Sequence, residues 1–468
     1  MYKTIFPILG LALLSGCSMA PDYERPANPV GESYPMGASF EESAVDSVVP
    51  AWREYYTYPE LQSLIELALA NNRDLRVTRL STEQIRAYYR IQRAALLPSL
   101  DASGTGTRQH NPADLSYSGS ETTSSSYAVG LQMPAYELDF FGRILSLKDQ
   151  ALQQYLATEE AQRSAELSLI TSVANQYYSL VSLQAQQALA GEAKAAAQRA
   201  YDLNRESFDA GVGAELDLRT SEAQLQAYRA AELSFGEQVA QARNLLTQLV
   251  GTAELPELMV SDEVFSGSNA PAELPVGLPS DLLTRRPDIL AAEHILIGAN
   301  ANIGAARAAF FPSVKLTAFA GTASADLSGL FEGGSEQWSF APTITIPIFA
   351  AGRNKANLEV AELQKEIEIA NYEKAIQTAF REVSDALAVR SSVDQRIDAQ
   401  QIRVQAAQRR DELTQKRYDA GVDSYLSVLL AQQERFSAQQ DLVQARLSKL
   451  VNQNALFAAL GGGFEGSQ

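Results

Sequence analysis

The chain has 468 residues, and its 38 basic and 56 acidic side chains give a formal net charge of −18. This acidity argues against nucleic acid as a partner, because proteins bind duplexes by neutralising phosphates with lysine and arginine. One cysteine excludes an intramolecular disulfide, and only two histidines argue against a His/Cys metal cluster. With 46% hydrophobic residues, the chain can bury a large core, in two domains or in one elongated architecture.

Residues 1–16 are predicted to be an export signal, because a basic start at Lys3 precedes an apolar run too short to span a bilayer permanently. The run ends in Leu14-Ser15-Gly16-Cys17, which resembles the bacterial lipobox. Cys17 is therefore predicted to carry a diacylglycerol and an N-acyl chain, which together anchor firmly, and no other cofactor is expected. By the same resemblance, Ser18 favours sorting to the outer membrane. The alternative is an ordinary secretory signal with an unmodified thiol.

The body of the chain is a duplicated sequence, predicted as repeat 1 over 60–256 and repeat 2 over 280–460. Four short motifs recur in the same order at offsets of 210 to 214 residues: 94–99 at 308–313, 113–116 at 325–328, 142–143 at 352–353 and 209–212 at 419–422. Such self-similarity indicates two copies of one folding unit. Three further segments are predicted: a lipid-anchored extended segment over 17–59, a linker over 257–279 and a loose tail over 461–468.

Long helices are predicted over 135–255 and 348–468, because all 18 prolines lie outside these two windows. The repeated Asp-Ala-Gly-Val, at 209–212 and 419–422, is typical of a hairpin tip where one helix turns back as another. A continuous helix from about 143 to 208 would be roughly 100 Å long at ~1.5 Å per residue. The abundance of Ala, Gln, Glu, Leu and Arg favours coiled-coil packing.

Membrane strands are predicted at about 99–108, 126–138, 313–323 and 338–348, where apolar residues alternate with polar or small ones. Long polar loops, 110–125 and 324–337, would join them. Four strands cannot close a barrel, and hydrocarbon does not tolerate open edges, so two to four copies must complete it. The attached helices would then form a coaxial tube, and the assembly would be a duct. The alternative is a soluble hairpin packed on the helices.

Motifs spread over nearly the whole chain resemble the TolC family of outer-membrane factors, with the closest likeness to its OprM-like efflux lipoprotein branch. They are Cys17 to Pro26, Asn71 to Leu75, Glu137 to Arg143 and, most specific, Gly277 to Ile289 continuing to Phe311-Pro312-Ser313. The resemblance implies a mixed α and membrane β fold, in which a homotrimer forms a twelve-stranded barrel in the bacterial outer membrane. Four strands come from each chain, and the barrel continues into a long periplasmic α-helical barrel.

The resemblance also implies the function. The duct would be a passive, gated exit for drugs and other small amphipathic molecules in a tripartite efflux pump. Its implied partners are outer-membrane lipid, a periplasmic adaptor and an inner-membrane pump of the resistance-nodulation-division type. Export of secreted polypeptides or metal ions is the alternative.

The gate is predicted near the second hairpin tip. One helix stripe there has 4-3-4-3-4 spacing: Asp423, Ser427, Leu430, Glu434, Ser437 and Asp441. A pore-facing acid repeated around a ring would draw cations. Family members commonly carry aspartate where this chain has Leu430, and often arginine where it has Gln433. We therefore predict an apolar constriction of Leu426 and Leu430, flanked by Asp423 and Glu434.

Breakable ties are also needed at a gate that opens. The candidates lie at the two hairpin tips: Asp217, Arg219, Arg417, Tyr418 and Asp419. For each of them the alternative is a solvated surface charge of little energetic weight.

An enzyme is not predicted, because the sequence holds no G-x-S-x-G, Walker glycine loop, G-x-G-x-x-G or H-E-x-x-H motif. A structural coiled-coil lipoprotein would leave the alternating strands and the duplication unexplained. An autonomous porin would not need such long helices.

Overall fold

The computed structural model describes residues 18–35, 49–117, 119–256, 271–272, 274 and 282–463. The predicted signal, the predicted lipidation site Cys17, most of the predicted linker and residues 464–468 of the predicted tail lie outside these residues. The chain divides into two compact units. The sheet unit comprises Met1–Pro26, Thr82–Thr158 and Ala291–Tyr372, and the hairpin unit comprises Ala27–Ser81, Glu159–Leu290 and Glu373–Gln468.

Helices make up most of the described chain. In order they are α1 (Trp52–Tyr55), α2 (Pro59–Asn71), α3 (Arg73–Ala94), α4 (Arg143–Asp209), α5 (Glu215–Val250), α6 (Leu282–Arg285), α7 (Pro287–Ala308), α8 (Arg353–Asp419) and α9 (Tyr425–Ala459). The internal repeat is confirmed by matching lengths, since α4 and α8 both have 67 residues and α3 and α7 both have 22. The two long helices that proline placement predicted are therefore present.

The four strands form one antiparallel sheet in the order β1-β2-β3-β4: β1 (Asp101–Asn111), β2 (Thr122–Leu138), β3 (Ser313–Ser324) and β4 (Glu336–Thr345). The register pairs Leu131 with Ala320 and Ala320 with Trp338, so these side chains share a face. That face is mainly apolar: Val129, Leu131, Met133, Val314, Leu316, Trp338, Phe340 and Ile344. The opposite face is mainly polar or small: Asp101, Ser103, Thr105, Gln132, Lys315, Thr317, Ser339 and Thr343.

The strand ends differ from those predicted. β1 continues to Asn111 and β2 starts at Thr122, so the first loop is much shorter than 110–125. Polar residues can extend a ladder beyond the apolar alternation, which is why the hydrophobic pattern alone underestimated both strands. β4 stops at Thr345 rather than near 348, because Pro347 has no N–H to donate to a ladder.

The second hairpin tip shows why Asp-Ala-Gly-Val turns a helix back. Gly421 has a φ of 71°, a left-handed value that favours glycine. The N–H of Val422 then donates to the carbonyl of Arg417 at 2.9 Å, which satisfies one of the last helical carbonyls. Gly211 at the first tip has a φ of 76°.

The hairpin unit has an aromatic core next to the chain's glycine-rich end. The rings of Tyr55 and Phe457 stack with centroids 4.3 Å apart, and both residues are fully buried. Gly463 forms a parallel bridge with Ala51, and a Cβ on Gly463 would lie 2.1 Å from the carbonyl oxygen of Pro50. The expectation of a loose tail from residue 461 is therefore wrong for Gly461 to Gly463, because glycine lets the backbones meet.

Arg286 ties together three helix segments of the hairpin unit, namely the start of α7, a part of α8 and the end of α9. Its guanidinium donates to both carboxylate oxygens of Asp288 at 3.0 and 2.6 Å, to Glu382 of α8 at 2.8 Å and to the carbonyl of Ala459 in α9 at 2.9 Å. Burial alone would lower the pKa of Arg286, but the hydrogen bonds and charges of the two carboxylates outweigh it and raise that pKa. The Arg-Pro-Asp motif thus has a structural role, and we call these contacts of Arg286 the lock.

The first described residues form a strap, residues 18–26, along helix α7 in the sheet unit. Arg25 donates twice to the largely buried Glu293, with both distances 2.7 Å, and Tyr23 donates to it at 3.1 Å. The side chain of Asn300 donates to the carbonyl of Pro21 at 2.7 Å. By length and composition α7 could cross a membrane, but Glu293 and the strap contacts identify it as a core helix.

Replacing Gly304 with alanine is expected to release the strap. A Cβ there would lie 2.6 Å from the backbone nitrogen of Ala20 and 2.6 Å from the hydroxyl of Ser146, so the strap backbone must move as well as the hydroxyl. We expect faster chymotryptic cleavage after Tyr23 in folded protein. The control is Gly298→Ala, whose Cβ would make an ordinary 3.4 Å contact with Gln153. Alanine favours a helix over glycine by about 1 kcal/mol, and this effect is common to both variants. Equal cleavage of the two variants would therefore show that the Cβ at position 304 does not displace the strap.

Candidate gate on the second helical hairpin

Helix α9 has two distinct faces near the second tip. Leu426 and Leu430 are 57% and 49% exposed in the single chain, whereas Leu429 is 8% exposed. On the packed face, the ring of Phe436 contacts Tyr228 edge-on at a centroid distance of 5.1 Å. The structure therefore places the two leucines of the predicted constriction together on an open face, separately from the residues that hold the hairpin.

A row of arginines on α8 contacts polar residues of the second tip and of α9. The arginines recur every seven residues, and we call them and their partners the arginine ladder: Arg396 with Ser448, Arg403 with Asp441, Arg410 with Glu434 and Arg417 with Asp423. The N–O distances are 2.9 Å for the first, 2.6 Å for the second and 2.7 Å for the last. Antiparallel helices with a seven-residue repeat keep the same faces in contact, which explains the spacing.

The ladder pairs the two acids that were predicted to flank the constriction. Asp423 and Glu434 were predicted to flank the constriction as charges, but each is paired with an arginine of its own hairpin. Arg417 donates to both oxygens of Asp423 and thereby lowers the pKa of that carboxyl. The stripe around the two leucines is therefore electrically compensated.

The other predicted ties are scattered. Arg219 pairs with Glu222 of its own helix at 2.9 Å, and Asp419 accepts a hydrogen bond from Gln415 at 2.8 Å. The ring of Tyr418 lies 5.8 Å from that of Tyr425. Burial and the nearby charge of Asp217 raise the pKa of Tyr418. The charge of Asp217 on the first hairpin thus acts on Tyr418, while Arg219 and Asp419 interact within their own helices.

The first hairpin lacks the ladder, although the repeat makes the two hairpins equivalent. The residues 210 positions before the four arginines are Gln186, Ala193, Ala200 and Ser207. Gly213 stands where the second tip has Asp423, and a Cβ there would meet the backbone of Phe208 at 2.8 Å. An apolar cluster of Ala193, Ala197, Leu225 and Tyr228 holds this hairpin instead, together with an ion pair between Lys194 and Glu232 at 2.6 Å. Only the second hairpin is fastened by this seven-residue series of arginine contacts.

Two further contacts near the gate were missed by sequence reasoning. Arg435 pairs at 2.6 Å with Asp411, whose side chain is 9% exposed, and burial raises the pKa of that carboxyl. Gln433 donates to Gln224 of the first hairpin at 3.0 Å. The seven-residue arginine spacing was a signal that could have revealed the ladder, whereas the Gln433 contact joins residues 209 positions apart and left no local signal.

Mild acid is expected to leave the Arg417–Asp423 pair intact. The folded pKa of Asp423 is lowered, so the pair persists at neutral pH and is lost only as pH falls through that lowered pKa. Channel conductance in planar bilayers should therefore be the same at about pH 7 and about pH 5. Arg417→Ala should raise the open probability at both values. The assignment would be contradicted if the open probability of the wild type rose between about pH 7 and about pH 5 while that of Arg417→Ala did not change with pH.

These features define a class of protein: one protomer of a membrane channel, with a two-faced sheet and paired long helical hairpins. Within the described residues the outer edges of β1 and β4 have no strand partner. Such edges are satisfied in hydrocarbon only when a barrel closes.

The chain belongs to the family described as outer membrane efflux protein, which it matches over residues 64–252 and 278–462. It is 46% identical over 455 residues to the antibiotic efflux pump outer membrane protein ArpC of Pseudomonas putida, covering 97% of this chain and 94% of that one. It is 45% identical over 466 residues to the solvent efflux pump outer membrane protein SrpC of the same species, covering 99% and 98%.

Solved structures agree with the family. A membrane protein from Pseudomonas aeruginosa is 42% identical, with a TM-score of 0.86 and coverage of 97% of this chain and 99% of that one. The predicted fold class, outer-membrane location and efflux role are confirmed. The chain is an outer-membrane exit duct component of an efflux pump.

Proposed function

We propose that three copies of this chain form a passive, gated duct that carries small amphipathic organic molecules, including drugs and solvents, out of the cell. The two-faced sheet with its two open edges carries this proposal. Three copies would supply twelve strands, above the roughly eight at which membrane barrels begin. The antibiotic and solvent relatives support the proposed cargo. Secreted polypeptides and metal ions remain the competing cargo.

The duct works with two further proteins in this proposal. A periplasmic adaptor and an inner-membrane pump of the resistance-nodulation-division type would deliver cargo and supply the free energy. The resemblance of the chain to efflux lipoproteins supports this assignment. The duct itself has no catalytic task, because its work is to enclose a path and to open it.

Cys17 is proposed as the lipid-bearing residue. The lipobox-like sequence Leu14 to Cys17 supports it. The strap gives further support, since Arg25 and Asn300 fix the chain that follows the cysteine. Thioether-linked diacylglycerol and an amide-linked acyl chain would add to the anchorage that the barrel provides.

The gate is proposed at Leu426 and Leu430. Their exposure on the open face of α9 supports an apolar constriction. The arginine ladder would hold the second hairpin in its resting position, and opening would require some of its pairs to break. Exposed ion pairs are individually weak, which suits a device that must open reversibly.

Dye accumulation in cells tests the proposed function. The host lacks this gene and other exit ducts, and the gene is restored with or without the adaptor and the pump. We expect restoration to lower an amphipathic dye inside the cells only when both partners are present. If the assembled protein leaves the dye unchanged, drug cargo is wrong, and secreted peptides and metal ions are then assayed in the same strains.

A further inference from the structure

An apolar groove lies beside the strap in the sheet unit. It has a volume of about 550 Å³ and is lined by Met19, Arg307, Phe310, Phe311 and Leu358. Its floor is firm, because the rings of Phe141 and Phe311 stack with centroids 4.8 Å apart. We call it the strap groove.

Among the described residues, the one polar side chain that lines the strap groove already has partners. Arg307 donates to the carbonyl of Met19 at 3.4 Å and lies 3.9 Å from the carboxylate of Glu362. The walls therefore offer hydrocarbon and aromatic surface, while Phe310 and Phe311 remain 44% and 41% exposed. Exposed aromatic surface of this kind gains free energy when an apolar ligand covers it.

The groove lies at the end of the sheet where the apolar face begins. β3 starts at Ser313, two residues after Phe311, and Val314 is the first of its side chains on the apolar face. At the same end, Ile346 and Ile348 follow β4 and are largely exposed. An apolar ligand at this level would come from the inner edge of the membrane.

We propose that the strap groove holds an acyl chain attached to Cys17, which rests on the proposed lipidation of that residue. Met19, a wall of the groove, is two residues from Cys17 in the sequence. The strap is fixed just beyond it by Asn300 and by the close passage of Ala20 over Gly304. A tethered chain reaches the groove at a high effective concentration, so it outcompetes free phospholipid. The groove thereby sets the depth and position of the anchor.

A photoreactive fatty acid tests the proposal. Cells are fed an acyl chain that carries an alkyne and a diazirine, and the purified full-length protein is irradiated and mapped by mass spectrometry. We expect the alkyne on the Cys17 peptide and crosslinks to the segments of Arg307 to Phe311 and of Leu358. Leu358→Gln should lower the crosslink yield about fivefold, because it removes apolar contact from the groove.

The control is Val360→Gln, the same kind of change at a 66% exposed position outside the groove, which should leave the yield unchanged. Label on Cys17 with crosslinks only to phospholipid or elsewhere would overturn the groove while leaving lipidation intact. Absence of label on wild-type protein that reaches the outer membrane would overturn the lipidation itself and the groove with it. A Cys17→Ser variant establishes which label belongs to the cysteine.

Discussion

Arg286→Leu is expected to lower the free energy of unfolding by about 3 kcal/mol, the low end for breaking a buried charge cluster. The buried guanidinium holds Asp288, Glu382 and the carbonyl of Ala459 at once. Its loss leaves two carboxylates close together and a helix end without its donor. Because both carboxylates are 41% exposed and can be partly solvated, we expect the low end. Urea denaturation in detergent micelles measures the change.

Two companion variants separate the lock from ordinary charge effects. Arg286→Lys keeps the charge but loses the two-pronged geometry, so its effect should be intermediate. Arg381→Ala removes an exposed arginine from its pair with Asp385 and should change stability by less than about 0.5 kcal/mol. Equal urea midpoints for Arg286→Leu and Arg381→Ala would show that Arg286 is not a lock.

Leu430→Asp is expected to make the channel cation-selective. The position is exposed on α9 within a stripe in which Asp423 and Glu434 are already paired with arginines. A new carboxylate there has no partner in the ladder and would be repeated around the ring of subunits. The ring would attract cations and raise the permeability ratio of cations to anions about threefold or more. Reversal potentials across planar bilayers under a salt gradient measure this ratio.

Further variants test whether negative charge alone causes the change in selectivity. Leu430→Asn has nearly the same shape as Leu430→Asp without the charge, so its permeability ratio should stay close to wild type. Arg410→Gln should also raise cation selectivity, because it uncovers Glu434. The matched control is Arg409→Gln, whose arginine pairs with Glu412 on its own helix. If Leu430→Asp matches wild type in conductance and selectivity, the two leucines do not line the constriction.

The sheet and the long helices were predictable because their signals are local and periodic. Alternation at Trp338, Phe340 and Ile344 marked the apolar face of β4, and the missing prolines marked α4 and α8. Strand ends were less predictable, because the ladder continues through polar residues such as Gln109 that carry no hydrophobic signal.

The gate was only half predictable from the sequence. Helical spacing placed Leu430 on one stripe with Asp423, but it could not show that Arg417, on the preceding helix, neutralises that acid. The strap posed a larger difficulty, since Arg25 and Glu293 are 268 residues apart. Contacts across such separations depend on how distant segments of the chain pack, which no local pattern encodes.

The most direct test of a passive, gated duct is single-channel recording of the purified wild-type protein in a planar bilayer without pump, adaptor or any energy source. We predict discrete openings of low probability, because in the proposed gate the arginine ladder would hold the second hairpin at rest. A variant that breaks two ladder pairs, Arg410→Gln with Arg417→Ala, should open for much longer. The duct would be contradicted if neither the wild type nor this variant conducted, although both were folded and inserted in the membrane.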